Sequence, residues 1–88
     1  MRTIEKRTGT FTESMLDDEI VVMRTDTGEF FSICGAGLDI WPLIDGTRDR
    51  SALLMALEAT FDAPERAIAD DLDGFLAALA EAGLIERT

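Results

Sequence analysis

The chain has 88 residues and a net charge of −10, from 18 acidic and 8 basic side chains. A nucleic-acid-binding protein needs clustered Lys and Arg to neutralise phosphates, so this balance argues against nucleic acid and anionic membranes as partners and favours a basic peptide segment. Histidine is absent and Cys34 is the only cysteine, which excludes a Cys/His metal site and an internal disulfide.

Chain length, hydropathy and cysteine content predict the number of domains and the cellular compartment. A chain of this size holds one small core, so we expect a single domain over residues 1–88. No segment has the ~20 apolar residues that span a bilayer, and the N-terminal MRTIEKRTGT lacks the apolar centre of a signal peptide. Since a lone thiol suits a reducing compartment, we expect the protein to be cytoplasmic.

Three strands are predicted in the N-terminal third. GTFTES (9–14) is a weak strand, EIVVMR (19–24) is rich in β-branched residues, and EFFSI (29–33) resumes after the turn TDTG. A short loop containing glycine between two such runs is typical of a β-hairpin, in which Gly28 supplies the positive φ of a bulge.

The third predicted strand carries two adjacent phenylalanines. Side chains alternate between the two faces of a strand, so Phe31 and Ile33 point to one face and Phe30 and Ser32 to the other. We assign Phe31 and Ile33 to the core. Phe30 must then point away from it.

Helical patterns fill the rest of the chain. The apolar residues between Leu38 and Ile44 predict a helix that ends at Asp45-Gly46, and Pro42 predicts that this helix is short or bent. Asp49 is placed to cap a second helix. Its inward positions are Leu53, Leu54, Leu57 and Phe61.

A third, longer helix is predicted to start at a capping box of Asp62 and Glu65, with Pro64 in its first turn. Gly83 ends it, with Leu84-Ile85 folded back as in a Schellman motif. Its apolar face is Ile68, Leu72, Phe75, Leu76 and Leu79. The order β-β-β-α-α-α predicts an α+β fold.

No catalytic constellation emerges from these elements. A thiol at a helix N-terminus has a lowered pKa, but no histidine is present to act as a base, so we interpret Cys34 as a small, partly buried capping residue. The acidic runs 17–19 and 70–73 are interpreted as a turn and a solvated helix face. GAG (35–37) lacks the basic residue and the spacing of a phosphate loop. We therefore predict a binding module that is not an enzyme and needs no cofactor or metal.

The ordered motifs resemble the PqqD-like family, the leader-peptide recognition domains of pathways for ribosomally made peptide natural products. The resemblance covers about residues 15–86, with Cys34 in place of the family's usual Asn and Pro42 in place of a residue compatible with helix. The matching positions are Ile33, Gly37, Ile40-Trp41, Asp45-Gly46-Thr47, Leu79, Gly83 and Leu84-Ile85.

This resemblance implies a winged-helix-like domain with a three-stranded antiparallel sheet packed on three helices. It also implies a non-catalytic adaptor that binds the leader of a precursor peptide and presents it to a modifying enzyme. The leader would add as a strand beside the third strand, in a groove formed with the third helix. The residues predicted to contact it are Glu29, Phe30, Phe31, Ser32 and Ile33 on the strand, and Ala69, Asp70, Asp73, Gly74 and Ala77 on the helix.

Several roles stay open at this point. Phe30 either flanks the peptide or packs on the N-terminal strand, and Asp70 and Asp73 either select a basic leader residue or form a solvated flank. An open strand edge also permits a homodimer. The alternative functions are a small winged-helix regulator of DNA or protein, which a salt-dependent shift of a DNA duplex would reveal, and a thiol enzyme dependent on Cys34.

Overall fold

The structure is a computed structural model that describes residues 3–87. Within that range the chain forms an α+β fold with a three-stranded antiparallel sheet and three α-helices, as the sequence predicts. The elements are β1 (Ile4–Lys6), β2 (Phe11–Met15), β3 (Glu19–Arg24), β4 (Phe30–Cys34), α1 (Gly37–Ile40), a 3-10 helix (Trp41–Leu43), α2 (Arg50–Thr60), α3 (Glu65–Glu81) and β5 (Ile85–Arg87).

The main sheet has the order β2-β3-β4, with β3 in the centre. Between β3 and β4, Gly28 has a φ of +77° and donates its N–H to the carbonyl of Arg24 at 2.8 Å. The N–H of Arg24 in turn donates to the carbonyl of Glu29 at 2.9 Å. Two residues thus oppose one, which is a β-bulge with glycine in the left-handed region, so the predicted role of Gly28 is confirmed.

A second, two-stranded sheet joins the two ends of the described chain, and the sequence did not predict it. β1 pairs antiparallel with β5, with Ile4 opposite Arg87 and Lys6 opposite Ile85. The side chains of Ile4 and Ile85 are both buried. Strands of three residues are too short to show a period of two, and nothing local indicates that distant segments pair.

The helical segment after β4 is short and broken, as Pro42 predicts. α1 has four residues, and the chain continues from Trp41 as a 3-10 helix with Pro42 in its first turn, where a missing N–H removes no helical bond. The predicted capping role of Cys34 is wrong. Cys34 is the exposed last residue of β4, and Ala36 occupies the N-cap, because a turn at 35–36 separates the strand from the helix.

The N-termini of the two longer helices differ. The carboxylate of Asp49 accepts the N–H of Ala52 at 2.9 Å, which confirms the predicted cap of α2. The capping box predicted from Asp62 and Glu65 is wrong, because α3 begins at Glu65 itself, after an extended Pro64 with no side-chain cap. Asp62 therefore lies upstream of the N-cap position.

The C-terminus of α3 is a Schellman motif, as predicted. Gly83 has a φ of +76°. The N–H of Leu84 donates to the carbonyl of Leu79, and that of Gly83 to the carbonyl of Ala80, both at 3.0 Å. This stop turns the chain back towards β1, so that β5 can follow directly.

Trp41 connects the short 3-10 helix to the sheet. Its side chain is 2% exposed and its ring meets that of Phe11 edge to face, with 5.7 Å between centroids. The indole N–H donates to the carboxylate of Glu13 at 2.6 Å, which satisfies a polar group that would otherwise be buried without a partner. The buried residues of β3, β4, α2 and α3 complete the core: Ile20, Val22, Ile33, Leu53, Leu57, Ile68, Leu72, Leu76 and Leu79.

Candidate functional site

The strand β4 is an edge strand of the main sheet, with β3 on one side. In an antiparallel pair, residues that exchange hydrogen bonds with the partner alternate with residues whose N–H and C=O face the other way. The bond from Arg24 to Glu29 fixes the phase of this alternation. Phe31, opposite Val22, and Ile33, opposite Ile20, therefore bond to β3.

The other residues of β4 present their main chain to the outside of the sheet. The N–H and C=O groups of Phe30, Ser32 and Cys34 point to the open edge, and no other strand in the described chain pairs with them. Unpaired groups in this arrangement are what a further strand needs for main-chain pairing. Glu29 differs, since its carbonyl accepts from Arg24 and its N–H donates to the hydroxyl of Thr27.

The side chains of β4 divide as the alternation predicts. Ile33 is buried and Phe31 is half-buried against the core, whereas Phe30, Ser32 and Cys34 are exposed on the outer face. Phe30 is 69% exposed, although it lies opposite Met23 of β3. It is therefore not held by packing on the N-terminal strand.

One flank of α3 adjoins this edge. A Cβ built on Gly37 would lie 2.9 Å from both Ile33 Cγ2 and Phe75 Cε1, so Gly37 sits between the end of β4 and the Phe75 ring. At the other end, a guanidinium N–H of Arg24 donates to the carbonyl of Ala82 at 2.8 Å. The first contact brings Phe75 to the end of β4, and the second ties the C-terminal end of α3 to Arg24, the last residue of β3.

The residues on that flank follow from helical spacing. Positions three or four apart lie on one side of a helix, so Asp71, Ala78 and Ala82 share the side of Phe75. Phe75 is half-buried and Ala78 is exposed and small. We infer a candidate slot between the open edge of β4 and this side of α3, next to Phe31 and Ile33. We call this flank, Asp71, Phe75, Ala78 and Ala82, the β4-facing flank of α3.

Three of the five helix residues predicted from the sequence, Ala69, Asp73 and Ala77, lie on the other side of α3. The carboxylate of Asp73 accepts two hydrogen bonds from the guanidinium of Arg50 on α2, at 2.6 and 2.9 Å. This bond, with the nearby charge, raises the pKa of Arg50. Asp73 and Ala77 also line a shallow depression beside Ile85 of β5. Asp73 thus lies on the α2 side of the helix.

Two of the remaining predicted helix residues are exposed. Gly74 lies between Asp71 and Ala78 at helical spacing, so it borders the β4-facing flank on its solvent side, and a Cβ built on it meets no atom within 4 Å. Asp70 is exposed. Ala69 is half-buried, one turn before Asp73 on the same side of α3. The structure therefore brings the predicted residues of β4 together at one edge and places Gly74 next to the β4-facing flank, whereas Ala69, Asp73 and Ala77 lie on the other side of the helix.

The flank of α3 that faces β4 cannot be chosen from the sequence alone. An amphipathic helix has a polar boundary on each side of its apolar stripe, and the two boundaries look alike until the neighbouring elements are placed. A usable signal was the aromatic ring of Phe75, which we had assigned to the core face. It lies at the border of that face and is only half-buried.

A small apolar pocket lies at the end of the slot, where the turn after β4 meets the start of α3. Its volume is about 100 Å³, and Asp71 supplies the carboxylate at its rim. The walls are otherwise aliphatic or aromatic: Ala36, Ile40, Leu57, Phe61, Ala63, Ala67 and Ile68. Such a pocket suits one aliphatic side chain beside a polar or basic group.

The described residues offer little for catalysis. Among residues 3–87, no three His, Cys, Asp or Glu side chains gather in a way that would hold a metal ion. Cys34 is exposed at the end of β4. No helix in the described range has both the length and the apolar character needed to cross a membrane. The described feature that best suits binding is the open edge of β4 near α3.

Two solved structures share this fold. TbiB1 in complex with the TbiA(β) leader peptide is 28% identical to this chain, over 90% of this chain and 92% of that one, with a TM-score of 0.78. The heterocyclase TruD is 17% identical with a TM-score of 0.68, and its match covers all of this chain but only 12% of the enzyme, which shows a shared fold. No curated protein sequence matches the chain significantly.

A family match agrees with these structures. The profile described as Coenzyme PQQ synthesis protein D (PqqD) matches residues 19–85, from the start of β3 to the start of β5. The match includes β4, all three α-helices and the Schellman stop. Since it covers most of the chain, the protein belongs to the PqqD family.

Proposed function

We propose that this protein is a non-catalytic adaptor that binds the leader segment of a ribosomally made precursor peptide and presents it to a peptide-modifying enzyme. The single observation that carries the proposal is the open edge of β4 beside the β4-facing flank of α3. A protein with 28% identity over 90% of this chain is described in complex with a leader peptide, which supports the same use here.

Main-chain pairing supplies the first part of the binding. A leader in extended conformation lies against β4 and exchanges hydrogen bonds with the outward groups of Phe30, Ser32 and Cys34. Each net hydrogen bond contributes about 1 kcal/mol, so main-chain pairing alone gives weak, sequence-independent affinity. Selectivity must come from side chains.

The slot and its pocket supply that selectivity. Strand side chains alternate, so every second leader residue points inward, against Phe31, Ile33 and Phe75. One aliphatic leader side chain enters the pocket at the start of α3, where Asp71 attracts a basic neighbour. Phe30, on the outer face, covers the other side of the added strand. We retain the predicted strand contacts and add Phe75 and Asp71 to them.

Presentation is the second half of the proposed function. The bound leader holds the rest of the precursor close to the modifying enzyme, which raises the local concentration of the segment to be modified. The adaptor itself needs no catalytic group for this role.

The test is a titration of the protein with synthetic N-terminal segments of the short reading frames that flank its gene. We expect one segment to bind, while a scrambled version of it binds at least tenfold more weakly and duplex DNA does not bind. If no segment binds more tightly than its scrambled form, the proposal is wrong. A duplex shift that weakens steeply with salt would support the regulator instead.

A further inference from the structure

The hairpin of β2 and β3 ends in an exposed apolar tip, level with the C-terminal end of β4. Met15 is 71% exposed and Leu16 is 50% exposed, although both are large apolar side chains. The N–H of Leu16 donates to the carbonyl of Glu19 at 2.8 Å, so the loop between them is only Asp17-Asp18. We call residues 15–18 the hairpin tip.

The two apolar side chains of the tip lie on opposite faces of the hairpin. Residues 11, 13 and 15 of β2 point to the core face and residues 12 and 14 to the outer face, so residue 16 continues the outer face. A flat partner surface can cover one of these side chains but not both. A partner buries both only by enclosing the tip in a cleft.

The core-face side of the tip leads into an open groove. This groove has a volume of about 340 Å³ and lies between the end of β2 and the 3-10 helix. Trp41 is buried beneath it, while Pro42 is exposed at its rim. The lining residues are Lys6, Glu13, Met15, Ile20, Trp41 and Pro42. The apolar surface of Met15 is therefore continuous with a concave surface that accepts a partner side chain.

The two aspartates of the tip indicate that its partner carries positive charge. Asp17 and Asp18 stand at the extreme end of the hairpin and are exposed, next to an apolar side chain on each face. The whole chain carries a charge of −10, so a second copy of the protein is repelled from this surface. A partner with basic side chains is attracted. An enclosing cleft with apolar walls and Lys or Arg at its base fits both observations.

The position of the tip suits a partner that acts on a leader bound elsewhere. Neighbouring strands lie about 4.8 Å apart, so the open edge of β4 is about 10 Å from β2 across the sheet. Met15 lies opposite Ile20, and Ile20 opposite Ile33, so the tip is level with the end of β4 where the pocket begins. A protein that holds the tip leaves β4 free.

We propose that the hairpin tip is the docking surface for the peptide-modifying enzyme. The enzyme receives Met15 and Leu16 in a cleft with apolar walls and with Lys or Arg side chains at its bottom. This inference rests on the proposed function, because it assumes that the adaptor serves such an enzyme. It assigns the two ligands to two edges of one sheet, the leader to β4 and the enzyme to the end of β2. Both can therefore bind at once.

The test compares three variants against the purified modifying enzyme encoded beside this protein and against the leader segment identified above. Met15→Ser with Leu16→Ser removes the apolar tip, and Asp17→Asn with Asp18→Asn removes its charge. Met55→Ser is the matched control, because Met55 on α2 is also 71% exposed. Each variant is measured for enzyme affinity, leader affinity and thermal unfolding.

The apolar double variant should bind the enzyme at least tenfold more weakly, while its leader affinity and unfolding temperature stay close to those of the wild type. The aspartate variant should bind the enzyme a few-fold more weakly at low salt and show a reduced salt dependence. Met55→Ser should change neither affinity. Unchanged enzyme affinity in the apolar double variant, or an equal loss in Met55→Ser, would overturn the assignment. Failure of the leader to bind the wild type would instead overturn the proposed function.

Discussion

The two outer strands of the main sheet, β2 and β4, expose the same main-chain chemistry but offer different surroundings. On β4 the outward N–H and C=O groups belong to Phe30, Ser32 and Cys34. On β2 the bond from Leu16 to Glu19 fixes the opposite phase, which turns the main chain of Phe11, Glu13 and Met15 outward. By hydrogen bonding alone, either edge accepts a strand.

The side chains next to each edge make the difference. Near the end of β4 lies the half-buried ring of Phe75 on α3, and in the proposed function an added strand lies between β4 and the β4-facing flank. The β2 edge faces the groove under Lys6, whose amine lies 4.7 Å from the centre of the Trp41 ring, and the charged Glu13. Edge strands are often protected by such charges. An open strand edge therefore suits peptide binding only where a second element of the fold lies beside it and contacts the added strand.

The largest effect is expected from a proline at the β4 edge. Ser32→Pro removes an outward N–H that the leader needs, and we expect leader affinity to fall at least thirtyfold, which corresponds to about 2 kcal/mol. Met15→Pro places the same lesion on the outward side of β2 and should leave leader affinity unchanged. Ser32→Ala controls for loss of the hydroxyl bond to Glu19. Isothermal titration calorimetry measures all three, and equal losses at the two edges would contradict the distinction between them.

Removal of the helical wall should have the next largest effect. Phe75→Ala opens the slot, and we expect leader affinity to fall about tenfold, with a loss of about 2 kcal/mol in the free energy of unfolding because the ring is half-buried. Leu54→Ala on α2 is the control, since Leu54 is also half-buried against the core. It should lower stability by a similar amount and leave leader binding intact. If both variants bind the leader equally, Phe75 is not part of the site.

Two glycine substitutions compare a packed position between β4 and α3 with an exposed position beside the β4-facing flank. Gly37→Ala forces a methyl to within 2.9 Å of Ile33 and Phe75, and we expect it to cost about 1–3 kcal/mol of unfolding free energy and to weaken leader binding. Gly74→Ala enters open space and should stabilise α3 by about 0.5–1 kcal/mol. Urea unfolding and leader titration measure both. A loss of leader affinity in Gly74→Ala would show that the peptide contacts Gly74 itself, as predicted from the sequence.

Charge reversal should have a smaller effect on leader affinity, and it tests which side of α3 the leader contacts. Asp71→Lys changes the rim of the pocket, and we expect leader affinity to fall about threefold at low salt, as is typical of an exposed ion pair. The double variant Asp70→Lys with Asp73→Lys tests the original prediction that these carboxylates select a basic leader residue. We expect the double variant to lose less leader affinity than Asp71→Lys, since Asp73 already pairs with Arg50. A larger loss in the double variant would favour the original prediction.

The smallest effect concerns the pH dependence of the free energy of unfolding near Arg24, whose side chain connects α3 to β3. Arg24 donates to the carbonyl of Ala82 and, with its other N–H groups, to the carboxylate of Asp26 at 2.7 and 3.0 Å. This side-chain bond lowers the pKa of Asp26 below its usual 3.8. A lowered folded-state pKa stabilises the fold above the unfolded value, and the gain is lost as the pH falls through the folded value.

The stability difference between the wild type and Asp26→Asn should therefore be constant near neutral pH and shrink below about pH 4. Thermal unfolding between pH 2 and 7 measures it. A difference that persists at pH 2 would show that Asp26 acts by another route.

The sequence predicts what depends on local pattern. Hydrophobic alternation in β4, the glycine of the bulge, the Asp49 cap and the Schellman stop at Gly83 all involve residues within a few positions of one another. These features were confirmed. The pairing of β1 with β5 connects segments about 80 residues apart, and neither strand is long enough to show a period.

The geometry of the strand in the candidate site was predictable from the sequence, whereas the position of α3 beside it was not. The faces of Phe30 and Phe31 follow from the period of two, but the flank of α3 that meets β4 depends on how the helices pack. A sequence with Asp71 and Phe75 on one side of the apolar stripe and Asp73 and Ala77 on the other leaves that choice open. Gly37, which allows Phe75 to reach Ile33, matters only once three elements are assembled.

Amide hydrogen exchange of the ¹⁵N-labelled protein, with and without the leader, tests the central claim most directly. Inner amides such as those of Phe31 and Ile33 already bond to β3 and should be protected in both states. The account predicts that the amides of Phe30, Ser32 and Cys34 become protected only when the leader is bound, while the outward amides of β2 stay unprotected. Protection that rises on β2 instead, or on neither strand although the leader binds, would contradict it.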